Sequence, residues 1–221
     1  MAEPQFTPEE VQEGQRIVNY VITKGLDNET IVKRFDEISE QYNKAQTLIG
    51  YKGPKWMGES LAALYPSNRE NVKILDVAAG TGMAAFEMRK HGFVHIDGLE
   101  PSQNMLDEAK KSNLYERYIC DVLGENTLDI ADDSYTVVTM VGLSSEIMKK
   151  LTVKALEELA RVTEKGGRVM INNYDRNFRG DIIRTNLSNL ESRRVWKLED
   201  EQTMPEISNG VGGILQVYMV L

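Results

Sequence analysis

The stretch Val72 to Met83, Val-Lys-Ile-Leu-Asp-Val-Ala-Ala-Gly-Thr-Gly-Met, constrains this chain more than any other. Ile74 to Val77 reads as a short buried strand, and the small residues after it read as a tight turn into a helix beginning near Gly82. A strand, a glycine turn and a helix make a cradle for a nucleotide-type ligand. Asp76 narrows the choice, because a carboxylate at the strand end opposes a phosphate by ~1 to 4 kcal/mol at contact distance. The expected ligand is a cationic or hydroxyl-rich nucleoside, with Gly80 and Gly82 letting the backbone approach it where a side chain would collide.

Downstream, strands and helices alternate. Met83 to His91 reads as a helix ending at Gly92, Val94 to Leu99 as a strand, and Ser102 as the cap of a helix holding Met105, Leu106 and Ala109. Tyr115 to Cys120 is expected to be the third strand, with the lone cysteine Cys120 buried in it. Tyr135 to Val141 is an apolar, β-branched run suited to a central parallel strand. Thr152 to Val162 has helical periodicity, and Gly166-Gly167 is read as a turn into a strand over Arg168 to Asn172. This alternation predicts a parallel sheet with right-handed crossovers. Asp181 to Leu190 reads as a helix, while Val195 to Gln202 and Gly213 to Leu221 read as strands of a terminal hairpin-like pair.

Ahead of the cradle, Thr7-Pro8-Glu9-Glu10 is a helix start with a capping box, and Gly25 is its stop. Ile31, Phe35, Ile38 and Tyr42 share one face of a second helix after Asn28, and Pro54 to Leu64 forms a third. The expected organisation is residues 1–52 as an N-terminal helical extension or lid and residues 53–221 as the main domain, in a single globular unit of 221 residues. Phe35 and Tyr42 either close over the ligand or pack against the sheet.

The net charge of −8 provides no field for polyanions, so a small-molecule or protein substrate is expected rather than nucleic acid. No apolar run is long enough to span a bilayer, and Met1 to Glu10 lacks a signal-peptide layout, so a cytoplasmic location is expected. A single cysteine excludes an internal disulfide, and no Cys/His cluster has zinc spacing.

In an open parallel sheet the ligand lies beyond the carboxyl ends of the strands, where the winding reverses. Asp76, Glu100 and Asp121 fall at three successive strand ends. Glu100 follows Gly82 at close to the ~20-residue spacing at which an acid accepts ribose hydroxyls. Asp121 can accept an adenine amine, with Met105 and Val122 as apolar walls. Gly80 to Ala85 also matches a loose dinucleotide fingerprint, but a pyrophosphate at the helix start would meet Asp76.

Leu75-Asp76-Val77-Ala78-Ala79-Gly80-Thr81-Gly82, Gly98-Leu99-Glu100-Pro101-Ser102 with Met105-Leu106, Cys120-Asp121, and Leu159-Ala160-Arg161-Val162 with Lys165-Gly166-Gly167 occur in that order. Together they resemble the successive motifs of class I S-adenosylmethionine-dependent methyltransferases, over roughly Phe35 to the C-terminus. Phe35-Asp36-Glu37-Ile38 and Tyr42-Asn43 resemble the N-terminal aromatic-acid segment of small members. Asn113-Leu114-Tyr115 and Val141 to Glu146 are similar to the methyltransferase-like proteins of the Williams–Beuren chromosomal region. The resemblance implies a Rossmann-like α/β fold: a seven-stranded, mostly parallel sheet with helices on both faces and its last strand antiparallel. It places Asp76 at the methionine end of the cofactor, Glu100 at the ribose and Asp121 at adenine, with Ala78 to Gly82 lining the cofactor and Val141 and Gly142 near the methyl group. It also implies cofactor contacts at Tyr42, Pro101, Ser102, Met105, Cys120 and Val122. Ala78-Ala79 departs from the more usual Gly-Cys type of pair, and Thr136 stands where an acid commonly opens the fourth strand.

Methyl transfer from a sulfonium depends mainly on alignment, so a protein base is not always required. Where one is, the candidates are Glu146, His91, His95 and Tyr174, with Asn172 and Asn173 able to orient an acceptor. The sequence supports an enzyme using S-adenosylmethionine and releasing S-adenosylhomocysteine. It also admits a cofactor-binding sensor without transferase activity, and a nicotinamide-dependent oxidoreductase.

Overall fold

The computed structural model describes residues 6–124 and 126–221; the first five residues of the leader reading lie outside it. Three helices come first: α1 (Pro8–Val21), α2 (Asn28–Leu48) and α3 (Gly53–Leu64). Thr7 and Glu10 form the expected capping box, and Asp27 caps α2 through the amide of Thr30 at 2.8 Å. The alternating part then runs β1 (Lys73–Val77), α4 (Met83–Lys90), β2 (His95–Leu99), α5 (Gln103–Lys111), β3 (Tyr118–Ile119), β4 (Tyr135–Val141), α6 (Ser145–Met148), α7 (Val153–Val162) and β5 (Thr163–Tyr174). It closes with α8 (Asp175–Phe178), α9 (Asp181–Ser192), β6 (Trp196–Ser208) and β7 (Val211–Val220).

The seven strands form one sheet in the order β3-β2-β1-β4-β5-β7-β6. β1 pairs in parallel with both β2 and β4, so the winding reverses between β1 and β4, and the carboxyl ends of these strands face one crevice. β7 runs antiparallel to β5 and to β6, as expected for the last strand. Alternation along β1 explains the two cores. Leu75 and Val77 pack with Val138, Leu156 and Trp196 on one face, whereas Ile74 packs with Met57, Leu61 and Met88 on the other. A third cluster holds Ile17, Val21, Ile38 and Ala45 of the first two helices against Met105 of α5. Among the described residues no helix is long and apolar enough to cross a membrane.

Three boundaries differ from the sequence reading. Gly166-Gly167 does not precede β5 but lies within it, where the register jumps from Tyr135↔Thr163 to Val137↔Arg168. A Cβ on Gly167 would stand 2.7 Å from the carbonyl of Thr136, so glycine is what lets this irregularity close on β4. The third strand shrinks to two residues because it is an edge, paired only with β2. Cys120 lies past its end and is exposed, not buried. The terminal pair is a true hairpin whose turn, Asn209-Gly210, has positive φ at both residues (44° and 72°), the backbone that a right-twisted two-residue turn requires.

Candidate functional site

The crevice begins where β1 ends. Ala78 and Gly80 both have φ of 54° and Gly82 has 84°, so the chain turns through three left-handed residues within five. The Ala79 amide donates to the carbonyl of Leu99 at 3.1 Å, which ties this turn to the end of β2. The glycines serve different purposes. A Cβ on Gly80 would meet nothing within 4 Å, so its backbone faces open space, whereas one on Gly82 would sit 2.5 Å from Leu114. Gly82 is therefore required for packing against Leu114, a role beside the ligand approach that the sequence reading gave it. Ala78 carries left-handed strain of ~1–2 kcal/mol, against ~0.5–1 kcal/mol of backbone freedom that glycine adds to the unfolded chain. Ala78→Gly is accordingly expected to raise the melting temperature by ~1–3 °C, measured by scanning calorimetry.

The three acids occupy different surroundings. Asp76 is 1% exposed and accepts from Tyr115 Oη at 2.7 Å and Thr139 Oγ1 at 2.9 Å. Gly98 makes room for this, since any Cβ there would lie 2.8 Å from the Tyr115 ring. Burial pushes the Asp76 carboxyl up to about 7, partly offset by those two hydroxyls. Glu100 is 6% exposed and accepts the amides of Gly80 at 3.0 Å and Ser102 at 2.9 Å, one on each oxygen. Burial pushes it up to about 7 as well, against those two amides, with Asp36 and Asp76 adding repulsion. Asp121 is half-buried and accepts from the amide of Val122 at 2.7 Å.

Ala78, Gly80, Glu100 and Asp121 line one cleft that is partly open to solvent. Its apolar walls are Leu99, Pro101, Val122 and Leu123 at one end and Val141, Gly142 and Leu143 at the other. The roof is α2, which contributes Ile31, Val32, Phe35 and Tyr42. Two residues seat it. Asn43 accepts from Thr81 in the glycine turn, and Asp36 accepts from Ser102 Oγ at 2.6 Å and from the Asn104 amide at 3.1 Å. A smaller recess behind the turn is bounded by Asp76, Ala79, Thr81 and Tyr51.

Residues 74–167 match a family described as a methyltransferase domain. The chain is 31% identical over 161 residues to human methyltransferase-like protein 27, covering 73% of this chain and 60% of that protein. Residues 74–167 thus resemble a methyltransferase domain, and the chain spans about three fifths of the length of the human relative it matches. It is also 27% identical over 167 residues to a ubiquinone/menaquinone biosynthesis C-methyltransferase of Campylobacter jejuni, covering 70% of this chain and 68% of that one. A TehB-like S-adenosylmethionine-dependent methyltransferase from Corynebacterium glutamicum shares the fold, with a TM-score of 0.60 at 17% identity, over 84% of this chain and 99% of that one.

The cleft fits S-adenosylmethionine, the cofactor that the sequence resemblance implies, on structural grounds. Gly80 leaves a cradle that a side chain would fill, Glu100 holds two carboxylate oxygens beside it, and Leu99, Val122 and Leu123 offer a dry surface for a base. Among the described residues no cation pairs with Asp76 or Glu100, the two acids with raised pKa values, and a sulfonium with an α-ammonium group would supply positive charge.

Other expected site residues fall elsewhere. Met105 is fully buried in the cluster beneath α1 and α2, and Ser102 caps α5 at 3.2 Å from the Met105 amide; neither lines the cleft. Cys120 contacts the Pro101 carbonyl at the sheet edge, outside the lining. His95 opens β2 and pairs with Glu116 at 2.9 Å, and His91 follows the C-terminus of α4; both are at the end of the sheet opposite the cleft. Glu146 is bound to Lys149 at 2.7 Å and to the Gly25 amide, and these contacts hold its carboxyl below the usual range. Of the four base candidates, His95 lines a separate pocket with Lys73, Asp97 and Arg117 at that opposite end, and Tyr174 alone reaches a cavity beside the cleft.

That cavity adjoins the cleft and shares Phe35, Tyr42, Gly142, Leu143 and Ser144 with it. Asn172 and Asn173 shape it from beneath, donating to the carbonyls of Gly53 and Leu143, both at 2.7 Å. Tyr51, which the sequence reading passed over, lies at the junction. Its only local signal is a position between two glycines, Gly50 and Gly53, just before a helix.

Proposed function

We propose that this protein transfers the methyl group of S-adenosylmethionine to a small-molecule acceptor held in the second cavity. One observation carries the reading: the cleft that fits the cofactor opens at Gly142 and Leu143 directly into a separate aromatic-walled cavity. The donor supplies an activated methyl group, and the residues of the chain bind, orient and exclude water. In this reading Glu100 accepts the ribose hydroxyls, Asp121 and Val122 meet the base, Asp76 faces the methionine end across the recess, and Val141 and Gly142 border the methyl group. The walls of the second cavity come from α1, α2 and the ends of β5 and β6, a recess partly open to solvent whose aromatic lining favours a small molecule. The Campylobacter relative named for quinone biosynthesis supports the same choice. Residues 1–52 then act as the roof, with α2 seated by Asn43 and Asp36.

Calorimetric titration with S-adenosylhomocysteine tests the binding half. Asp76 and Glu100 share a folded-state pKa of about 7, above their unfolded values, so each stabilises the ligand-free fold at low pH. That contribution is lost as pH rises from ~4 through ~7. Ligand groups that favour the charged carboxylates reverse this. Net proton release is expected at pH 7, vanishing above pH ~8.5, with affinity falling as the solution is acidified below 7. Equal heats in buffers of different ionisation enthalpy would remove both acids from the site.

A further inference from the structure

We propose that the second cavity takes a planar acidic acceptor bound as its anion, an ionised phenol, enol or carboxylate-bearing ring, held between the Tyr51 hydroxyl and Arg176. This rests on the methyltransferase reading and names its substrate class.

Tyr51 marks the throat. Its ring lines both the second cavity and the recess that contains Asp76 and Gly80. Its hydroxyl is buried without a hydrogen-bond partner, and a Cβ built on either Gly53 or Gly142 would lie 2.2 Å from that oxygen. Burial raises the phenol well above its ordinary pKa, so the group keeps its proton and remains a donor. An unpaired buried donor between donor and acceptor sites is matched by an acceptor atom on the incoming molecule.

The rings supply the planar surface. Tyr51 and Tyr174 are nearly parallel, with centroids 5.9 Å apart and 26° between planes, while Phe35 and Tyr42 meet edge to face at 6.0 Å. Charge supplies the sign. Among the described residues lining this cavity Arg176 alone is charged, in a chain of net charge −8. Its guanidinium stands 5.0 Å from the centre of the Tyr174 ring, and the adjacent Asp175 is engaged by Arg179. A cage for an ammonium acceptor needs bare ring faces and gains from a carboxylate; here a cation occupies one face.

An anionic acceptor also accounts for the missing base. The acceptor loses its proton to solvent on ionising. Its lone pair then forms the bond to the methyl carbon as the carbon–sulfur bond breaks, and that bond's electron pair stays on sulfur. The acceptor's negative charge and the sulfonium's positive charge cancel, so no protein group needs to take a proton.

The test uses the full chain saturated with S-adenosylhomocysteine and two ring probes of similar size, 1-hydroxy-2-naphthoate and tryptamine. The anion is expected to bind at least tenfold more tightly than the amine. Arg176→Gln should weaken the anion about tenfold and leave S-adenosylhomocysteine affinity within twofold, and Tyr51→Phe should also weaken the anion. Equal or tighter tryptamine binding, binding of neither probe, or an Arg176→Gln variant that binds the anion normally would overturn the proposal. Failure of the wild-type chain to bind S-adenosylhomocysteine would instead overturn the methyltransferase reading on which it rests.

Discussion

Glu100→Ala weakens S-adenosylhomocysteine binding by about 100-fold, or ~3 kcal/mol, while the protein stays folded. The size follows from geometry. Each oxygen of Glu100 already accepts one backbone amide, from Gly80 and from Ser102, which aims the remaining lone pairs into the cleft. Hydrogen bonds to a charged group contribute ~1.5–3 kcal/mol each, and a ribose offers two hydroxyls. The folded state itself loses little. Removing a carboxyl that burial holds at about 7 relieves a strained charge, and this offsets the two amides left for water to solvate. Isothermal titration against circular-dichroism melts separates the two effects. An affinity within threefold of wild type would mean that the ribose lies elsewhere.

Tyr51→Phe is expected to move stability and turnover in opposite directions. The ligand-free protein carries a buried hydroxyl with no partner, which costs ~1–3 kcal/mol. Phenylalanine keeps the ring stacked on Tyr174 and removes that cost, so the melting temperature rises by ~2–8 °C. Turnover with a competent acceptor falls by ~10–100-fold, because the hydrogen bond that places the acceptor is gone. A purely structural tyrosine would show lower stability and unchanged turnover. Functional sites commonly hold such destabilised groups, and the sign of the melting shift is the decisive readout.

Much of the donor cleft was legible because it is local. The turn from Asp76 to Gly82, the acid at Glu100 and the cap at Ser102 each depend on residues within a few positions, and the parallel order of strands placed them at one edge. Met105 and Cys120 show where that reasoning ends. Both sit close in sequence to cleft residues, yet Met105 points down into helix packing and Cys120 lies beyond an edge strand of two residues. Periodicity says that a residue has an apolar side; it does not say which neighbour covers it.

By itself the sequence determined the fold class, the winding of the sheet and the glycine turn and acids at its strand ends, since strand alternation, glycine turns and strand-end acids are written in short runs. Only the tertiary structure placed the second cavity, where the acceptor is proposed to bind. Tyr51, Tyr174 and Arg176 come from separate segments, and α2 reaches the cleft through contacts of Asn43 and Asp36 with residues 38 or more positions away. No local pattern encodes such a cavity, because its walls are set by how helices that precede the sheet pack over strands that end it.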